Sequence, residues 1–219
     1  MGAMKKAPSI SKDHEALAGI KRMLFAHQLS PGQKIIYRDL ESALGMSKTP
    51  IINALSRLEQ EGLVVYQLNR GYFVRQLTTD EVEQMYDLRV KLDAIAMDYA
   101  VQNADKKGLS ELKKALTEYL SYKGEVYDSR RFQLDIAFHL QIARIGKNAF
   151  LTNMLVNFYE TAWVGLPAAF LTPKIPQFRQ FHLEIYEAIK SKDCRLAKKV
   201  AKRHWDVALE AVMQGYLNP

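Results

Sequence analysis

Leu44-Gly45-Met46-Ser47-Lys48-Thr49-Pro50-Ile51-Ile52-Asn53-Ala54-Leu55 is the stretch whose reading decides the fold. Ser47 is a good N-cap and Pro50 suits the first helical turn. A helix therefore starts here and runs through Ile51, Leu55 and Leu58 to Gly62, which supplies a stop. Working backwards, Asp39 to Leu44 reads as a short helix ending near Gly45. Ser30-Pro31-Gly32 separates it from an earlier helix, His14 to His27, in which Leu17, Ile20, Met23 and Leu24 recur at helical spacing. Working forwards, Leu63 to Tyr66 reads as a strand, Asn69-Arg70-Gly71 as a turn and Tyr72 to Val74 as the returning strand. Three helices followed by a hairpin is the order of a winged helix-turn-helix, assigned to residues 5–77. Met1-Gly2-Ala3-Met4 reads as an appended start and is left out.

From Thr78 the pattern changes. Thr78-Thr79-Asp80-Glu81 carries a capping signal and opens a long helix. Candidate helices follow at about 79–104, 108–123, 128–145, 148–168, 174–190 and 193–215, with breaks at Gly108, Gly124, Gly146 and between Pro167 and Pro176. No Ser/Gly-rich linker, low-complexity tract or internal repeat interrupts the chain, so the joint is short, around residues 75–80. The expected fold class is mainly α: an N-terminal winged helix-turn-helix plus a C-terminal antiparallel α-helical bundle over 78–219.

Composition narrows the function. The net charge is +7, and its distribution is uneven: residues 1–77 carry +5 and residues 78–219 carry +2. The excess lies where it could neutralise phosphates, although a solvated basic surface accounts for it equally well. No apolar run is long enough to span a bilayer, and no secretory signal is evident. The single Cys194 excludes an intramolecular disulfide. Together these point to a cytoplasmic protein that does not engage a membrane.

In a winged helix-turn-helix the second helix of the pair enters the major groove with its N-terminal residues toward base edges. Ser47, Lys48, Thr49 and Asn53 occupy that end. Arg38 is placed to meet a phosphate or a base edge, and Arg70 and Gly71 sit at the tip of the wing. A small helical subdomain with a surface hairpin would give the same bare pattern.

Residues 31–74 closely resemble the DNA-binding domain of the GntR family of bacterial regulators. The resemblance is carried by Pro31-Gly32-Gln33-Lys34-Ile35, Leu40, Leu44 to Pro50, Ala54-Leu55, Arg57-Leu58-Glu59, Glu61-Gly62-Leu63 and Asn69-Arg70-Gly71. It implies that Arg38, Lys48, Thr49 and Gly71 approach DNA. The chain departs from the family at Lys48, where Arg is usual, and at Ile52-Asn53, where Arg-Glu is usual. Lysine lacks the bidentate fork that reads guanine, and Ile52 can touch a thymine methyl but cannot hydrogen-bond a base. An altered operator with weaker guanine readout is expected.

The C-terminal part contains only three histidines, His139, His182 and His204. Asp135 and His139 are four apart and share a helix face. Three imidazoles and a carboxylate converging in a bundle would hold a divalent metal ion. By spacing alone, core histidines and an ordinary surface Asp–His pair are the commoner arrangement. Residues 79–213 look like the FCD ligand-binding domain of the FadR subgroup of GntR regulators. The strings are Tyr86-Asp87-Leu88-Arg89 through Leu92-Asp93, Asp135-Ile136-Ala137-Phe138-His139, Gly146-Lys147-Asn148, His182 through Ala188-Ile189, and Asp193 through Ala197 to His204. The family's common Glu appears here as Asp93.

That resemblance implies metal ligation by Asp135, His139, His182 and His204. The ion would be zinc, with nickel and manganese also suited to the donors. A small carboxylic acid would complete the coordination. Arg89 is either its anchor or a partner in a buried salt bridge. Tyr86 and Asn157 are candidates to line the pocket, as are Tyr159 and Trp163, for which a plain core role competes. The implied protein is a repressor, acting as a homodimer on a palindromic double-stranded DNA operator. Two rivals are a metal-dependent enzyme, with Glu184 or Asp206 as a second catalytic group, and a DNA-binding dimer with no metal or ligand site.

Overall fold

The computed structural model describes residues 11–124, 129–171 and 177–217. Residues 1–4, which read as an appended start, the first residue of the helix expected at 128 and the first turn of the one expected at 174 lie outside them. The chain divides into two compact units, Met1–Gln76 and Leu77–Pro219.

In the first unit, α1 (Lys12–Phe25), α2 (Tyr37–Leu44) and α3 (Lys48–Gln60) precede β1 (Val64–Gln67) and β2 (Gly71–Val74). Ala16, Ile20 and Leu24 of α1 pack with Leu40 of α2 and with Ile51, Leu55 and Leu58 of α3, all at most 1% exposed. This follows from the helical recurrence of those apolar positions. Helix α2 begins two residues before its expected start, because Ile36 is extended and serves as its N-cap. It ends at Gly45, whose left-handed φ of 63° turns the chain between the two helices. Ser47 is at the N-cap of α3 as expected, but its side chain makes no capping hydrogen bond.

The strands pair antiparallel with Val64 opposite Val74 and Gln67 opposite Gly71. The hairpin turns through Asn69 and Gly71, both at positive φ. Residues 32–35 also bond to β2: the Ile35 amide donates to the Tyr72 carbonyl and the Val74 amide to that of Gln33.

The second unit consists, among the described residues, of α4 (Thr79–Asn103), α5 (Lys106–Ser121), α6 (Ser129–Ile145), α7 (Ala149–Gly165), the short α8 (Ala168–Leu171), α9 (Gln177–Lys190) and α10 (Cys194–Leu217). Thr78 and Glu81 form the expected capping box at the start of α4. Two expectations fail locally. Gly108 is not a break: Asp105 caps α5 by accepting the Gly108 amide, so the helix starts earlier. Helix α7 does not run to 168: Leu166 precedes Pro167 and is extended, which stops the helix before α8 begins.

Two apolar clusters fill the bundle. One joins α4, α5, α6, α9 and α10 around Leu112, Phe138, Ile142 and Ile185. The other joins α4, α6, α7 and α10 around Val82, Leu155, Tyr159 and Trp205. Helices α6 and α10 contribute to both, and the buried polar side chains His139 and His204 lie on them.

Candidate metal centre and nucleic-acid interface

Helices α6, α9 and α10 bring Asp135, His139, His182 and His204 together, one donor atom from each, all within 4.8 Å of one another. His182 Nε2 lies 3.1 Å from Asp135 Oδ1 and 3.2 Å from His139 Nε2. Asp135 stands 4.0 Å from Nε2 of both His139 and His204. Donors held about 2.1 Å from a common centre stand roughly 2.9 to 4.2 Å apart; these four separations, the carboxylate ones measured from both Asp135 oxygens, fall in that range, and the full donor set lies within 4.8 Å, close to it.

The surroundings suit ligation. The three histidines are buried, and 14% of the Asp135 side chain is exposed. Burial, reinforced by the charge of His182 and opposed by Asp135, holds the His204 imidazole down at about 3. Burial likewise lowers His139 far below its ordinary value, helped by His204, His182 and Arg89. Neutral imidazoles are the form that binds metal. Burial pushes the Asp135 carboxyl up, but the His182 hydrogen bond and the charges of His182, His204 and Arg89 outweigh it, so it stays ionised below its usual range. His204 Nε2 is buried and bonded to nothing in the protein. Such an atom costs about 1–3 kcal/mol unless something meets it. The donor set and this orphaned nitrogen both fit a divalent ion.

Arg89 of α4 is fully buried beside this cluster. Its Nη2 is 3.1 Å from Asp93 and donates to the Tyr159 hydroxyl. Its guanidinium lies 4.3 Å from the Tyr159 ring centre and 4.4 Å from that of Trp205, within cation–π range. Asp93 also accepts the indole N–H of Trp205. The salt bridge considered for Arg89 is thus present, yet its Nε and Nη1 are buried without a partner. Two donors remain for an anion.

Of the other expected pocket residues, Tyr86 is buried, its ring edge-on to Phe158 and Trp205. Trp163 packs on Phe132. Asn157 is not brought into the site: it lies exposed on α7, about 200° around the helix from the buried Tyr159. Glu184 and Asp206 do not face the cluster as catalytic groups. Glu184 accepts from Gln180, and Asp206 pairs with Lys202 at the surface. Trp205 was missed by sequence reasoning. It follows His204 directly, but nothing local marks it as the link to Asp93.

In the first unit, Arg38, Ser47, Lys48, Thr49 and Asn53 are exposed, as is Arg70 on the hairpin, with Gly71 half-buried. Two of the cations rest on rings. Lys48 Nζ lies 5.1 Å from the Tyr37 ring centre and the Arg70 guanidinium 5.1 Å from that of Phe73. Asn53 is engaged within the protein, donating from Nδ2 to Asp13 of α1 at 3.1 Å. Neither Asp13 nor the two rings had a sequence signal.

Comparison with known proteins adds the following. Residues 13–74 match the family of bacterial regulatory proteins named gntR, and residues 84–207 match the FCD domain. The HTH-type transcriptional regulator YdhC of Bacillus subtilis is 26% identical over 190 residues, 85% of this chain and 84% of its own length. The Nta operon transcriptional regulator of Aminobacter aminovorans is 26% identical over 192 residues, 87% of this chain and 91% of its own. The structure of McbR from Escherichia coli superposes with a TM-score of 0.77 at 20% identity, covering 94% of this chain and 99% of McbR. That last likeness shows a shared fold.

Proposed function

This chain belongs to the gntR family of bacterial regulatory proteins and carries an FCD domain, and from that premise we propose that it represses transcription under the control of a small organic acid bound at a divalent metal ion. That it is a transcriptional regulator and not an enzyme follows from the family. The observation that supports the sensing role is the convergence of Asp135, His139, His182 and His204 beside the two unpaired donors of Arg89.

One carboxylate and three neutral imidazoles would hold the ion, zinc first, nickel or manganese as alternatives, and leave coordination positions open. When bound, the ion supplies a Lewis-acidic point for oxygens of the acid. Arg89 orients a carboxylate of that acid by a charge-assisted hydrogen bond from one of its two unpaired donors, Nε or Nη1, which lie on different edges of the guanidinium. The aromatic rings of Tyr159 and Trp205 keep water from Arg89 and so strengthen that contact.

DNA contact is assigned to residues 5–77, through Arg38, Ser47, Lys48, Thr49, Asn53, Arg70 and Gly71. Effector binding and dimerisation are assigned to residues 78–219. A homodimer matches a palindromic operator, and exposed apolar side chains on α4 (Leu88, Ile95) and α7 (Phe150, Met154) supply a surface for a second copy. No helix among the described residues is long and apolar enough to cross a membrane, which suits a cytoplasmic repressor.

The test is operator affinity of metal-loaded and chelator-treated protein against a panel of small carboxylic acids. One acid should lower the affinity of the loaded protein only, and DNA should weaken binding of that acid by the same factor. If every acid binds without changing operator affinity, the sensing role is wrong.

A further inference from the structure

Helix α3 departs from its family at two adjacent exposed positions, and one of these is tied to another helix. Ile52, one turn after Lys48, leaves 38% of its surface exposed, whereas Ile51 beside it is fully buried. Asn53 is exposed, and its Nδ2 donates to Asp13 in the first turn of α1, 3.1 Å away. This bond fixes which way the Asn53 amide faces. It uses one of the two amide hydrogens, leaving the second and the carbonyl oxygen for another partner.

We infer that Ile52 and Asn53 read A·T base pairs, Ile52 by contact with the thymine methyl group and Asn53 by its amide against adenine, with Asp13 as the positioning residue. The inference rests on the regulator reading above, in which α3 enters the major groove. The thymine methyl is the apolar group that the major groove displays, and adenine offers the N7 acceptor and N6 donor that match an amide. A guanine at the same place would set two acceptors, N7 and O6, against an apolar side chain and near the negative charge of Asp13. Ile52 would desolvate that edge while offering it no donor. Asp13 needs no contact with DNA for this role; it acts by holding the amide of Asn53.

The experiment is selection of duplexes from a randomised pool by the full-length protein. Affinity is then measured for the best duplex and for copies in which each thymine in turn is replaced by deoxyuridine, which removes only the methyl. One replacement per half-site should weaken the wild type about fourfold, the worth of one buried methyl group, and leave Ile52→Ala unchanged. Asp13→Ala should loosen selection of an adenine next to that position. Asp13→Asn, whose side-chain carbonyl still accepts from Asn53, should keep it, and the salt dependence should be equal in both. If no deoxyuridine separates wild type from Ile52→Ala, the inference is overturned. If the two Asp13 variants select alike, the positioning role falls. Failure of the wild type to enrich any duplex would instead overturn the regulator reading itself.

Discussion

The Nε2 atoms of His139 and His182 face each other at 3.2 Å inside the bundle. Two neutral imidazoles share such a contact only when one carries its proton on Nε2 and the other on Nδ1, and that arrangement still leaves His204 Nε2 bare. A cation held by all three Nε2 atoms and by Asp135 would replace that contact and meet His204 Nε2, although Nδ1 of all three histidines is also buried without a partner in the chain.

Purified protein should therefore carry close to one divalent ion per chain. A ligand at a hundred times its dissociation constant stabilises a fold by about 2.7 kcal/mol, so a chelator should lower the melting temperature by roughly 5–11 °C. His204→Ala should contain no metal and melt at the same temperature with and without chelator. Elemental analysis beside thermal melts checks both. Wild type that melts identically in chelator would demote the cluster to core residues.

Without metal, the buried histidines should make the protein acid-sensitive. His204 sits at about 3 against an ordinary 6.5, and His139 is also lowered by burial. Between those values the unfolded chain binds protons that the folded one refuses. Stability is then whole above about pH 6.5 and lost progressively as pH falls toward about 3. Urea midpoints of chelator-treated protein should fall over that window, and fall less in His204→Phe. Parallel profiles for the two proteins would contradict the argument.

Asp93 stands between Arg89 and the indole of Trp205. Asp93→Ala leaves a buried guanidinium without its counter-charge and should cost about 3–5 kcal/mol. Tyr159→Phe removes one hydrogen bond to the same guanidinium and should cost about 1–2 kcal/mol. Urea unfolding gives both numbers, and the reverse ranking would show that Asp93 is not the main compensation for Arg89.

The Thr78 hydroxyl accepts the Glu81 amide, and the Glu81 carboxylate accepts the Thr78 amide. Thr78→Ala should destabilise the second unit by about 1 kcal/mol. In a double-mutant cycle with Glu81→Ala the two losses should not add, because each side chain caps the other's backbone. Full additivity would mean that the box contributes nothing as a unit.

Lys48 is a point charge resting on the Tyr37 ring. Lys48→Ala should weaken binding to all duplexes alike and flatten the slope of log affinity against log salt by about 0.9. A change confined to one base position would make Lys48 a base reader instead.

Ser47, Pro50 and the Asn69-Arg70-Gly71 turn of the hairpin made the winged helix legible, because caps, turns and periodicity are local and act within a few residues. The four candidate ligands were legible through the resemblance, since Asp135 and His139 share one turn while His182 and His204 were placed by matching strings. Two positions show where local pattern and packing part. Gly108 looks like a break by composition, yet Asp105 accepts its amide and the helix continues through it. Asn157 matches the pocket positions by its place in the sequence, while the phase of α7 leaves it exposed.

By itself the sequence determined the order of elements and the basic bias of the first 77 residues, because helical period, capping and charge are properties of neighbouring residues, while the four candidate ligands were named by the resemblance of whole strings. Only the tertiary structure decided that those ligands converge, that Arg89 keeps two unpaired donors, that Asp93 meets Trp205 across 112 residues and that Asp13 holds Asn53 across 40. Such contacts follow from how whole helices pack, and side chains far apart in the chain carry no local mark of which partner they will meet.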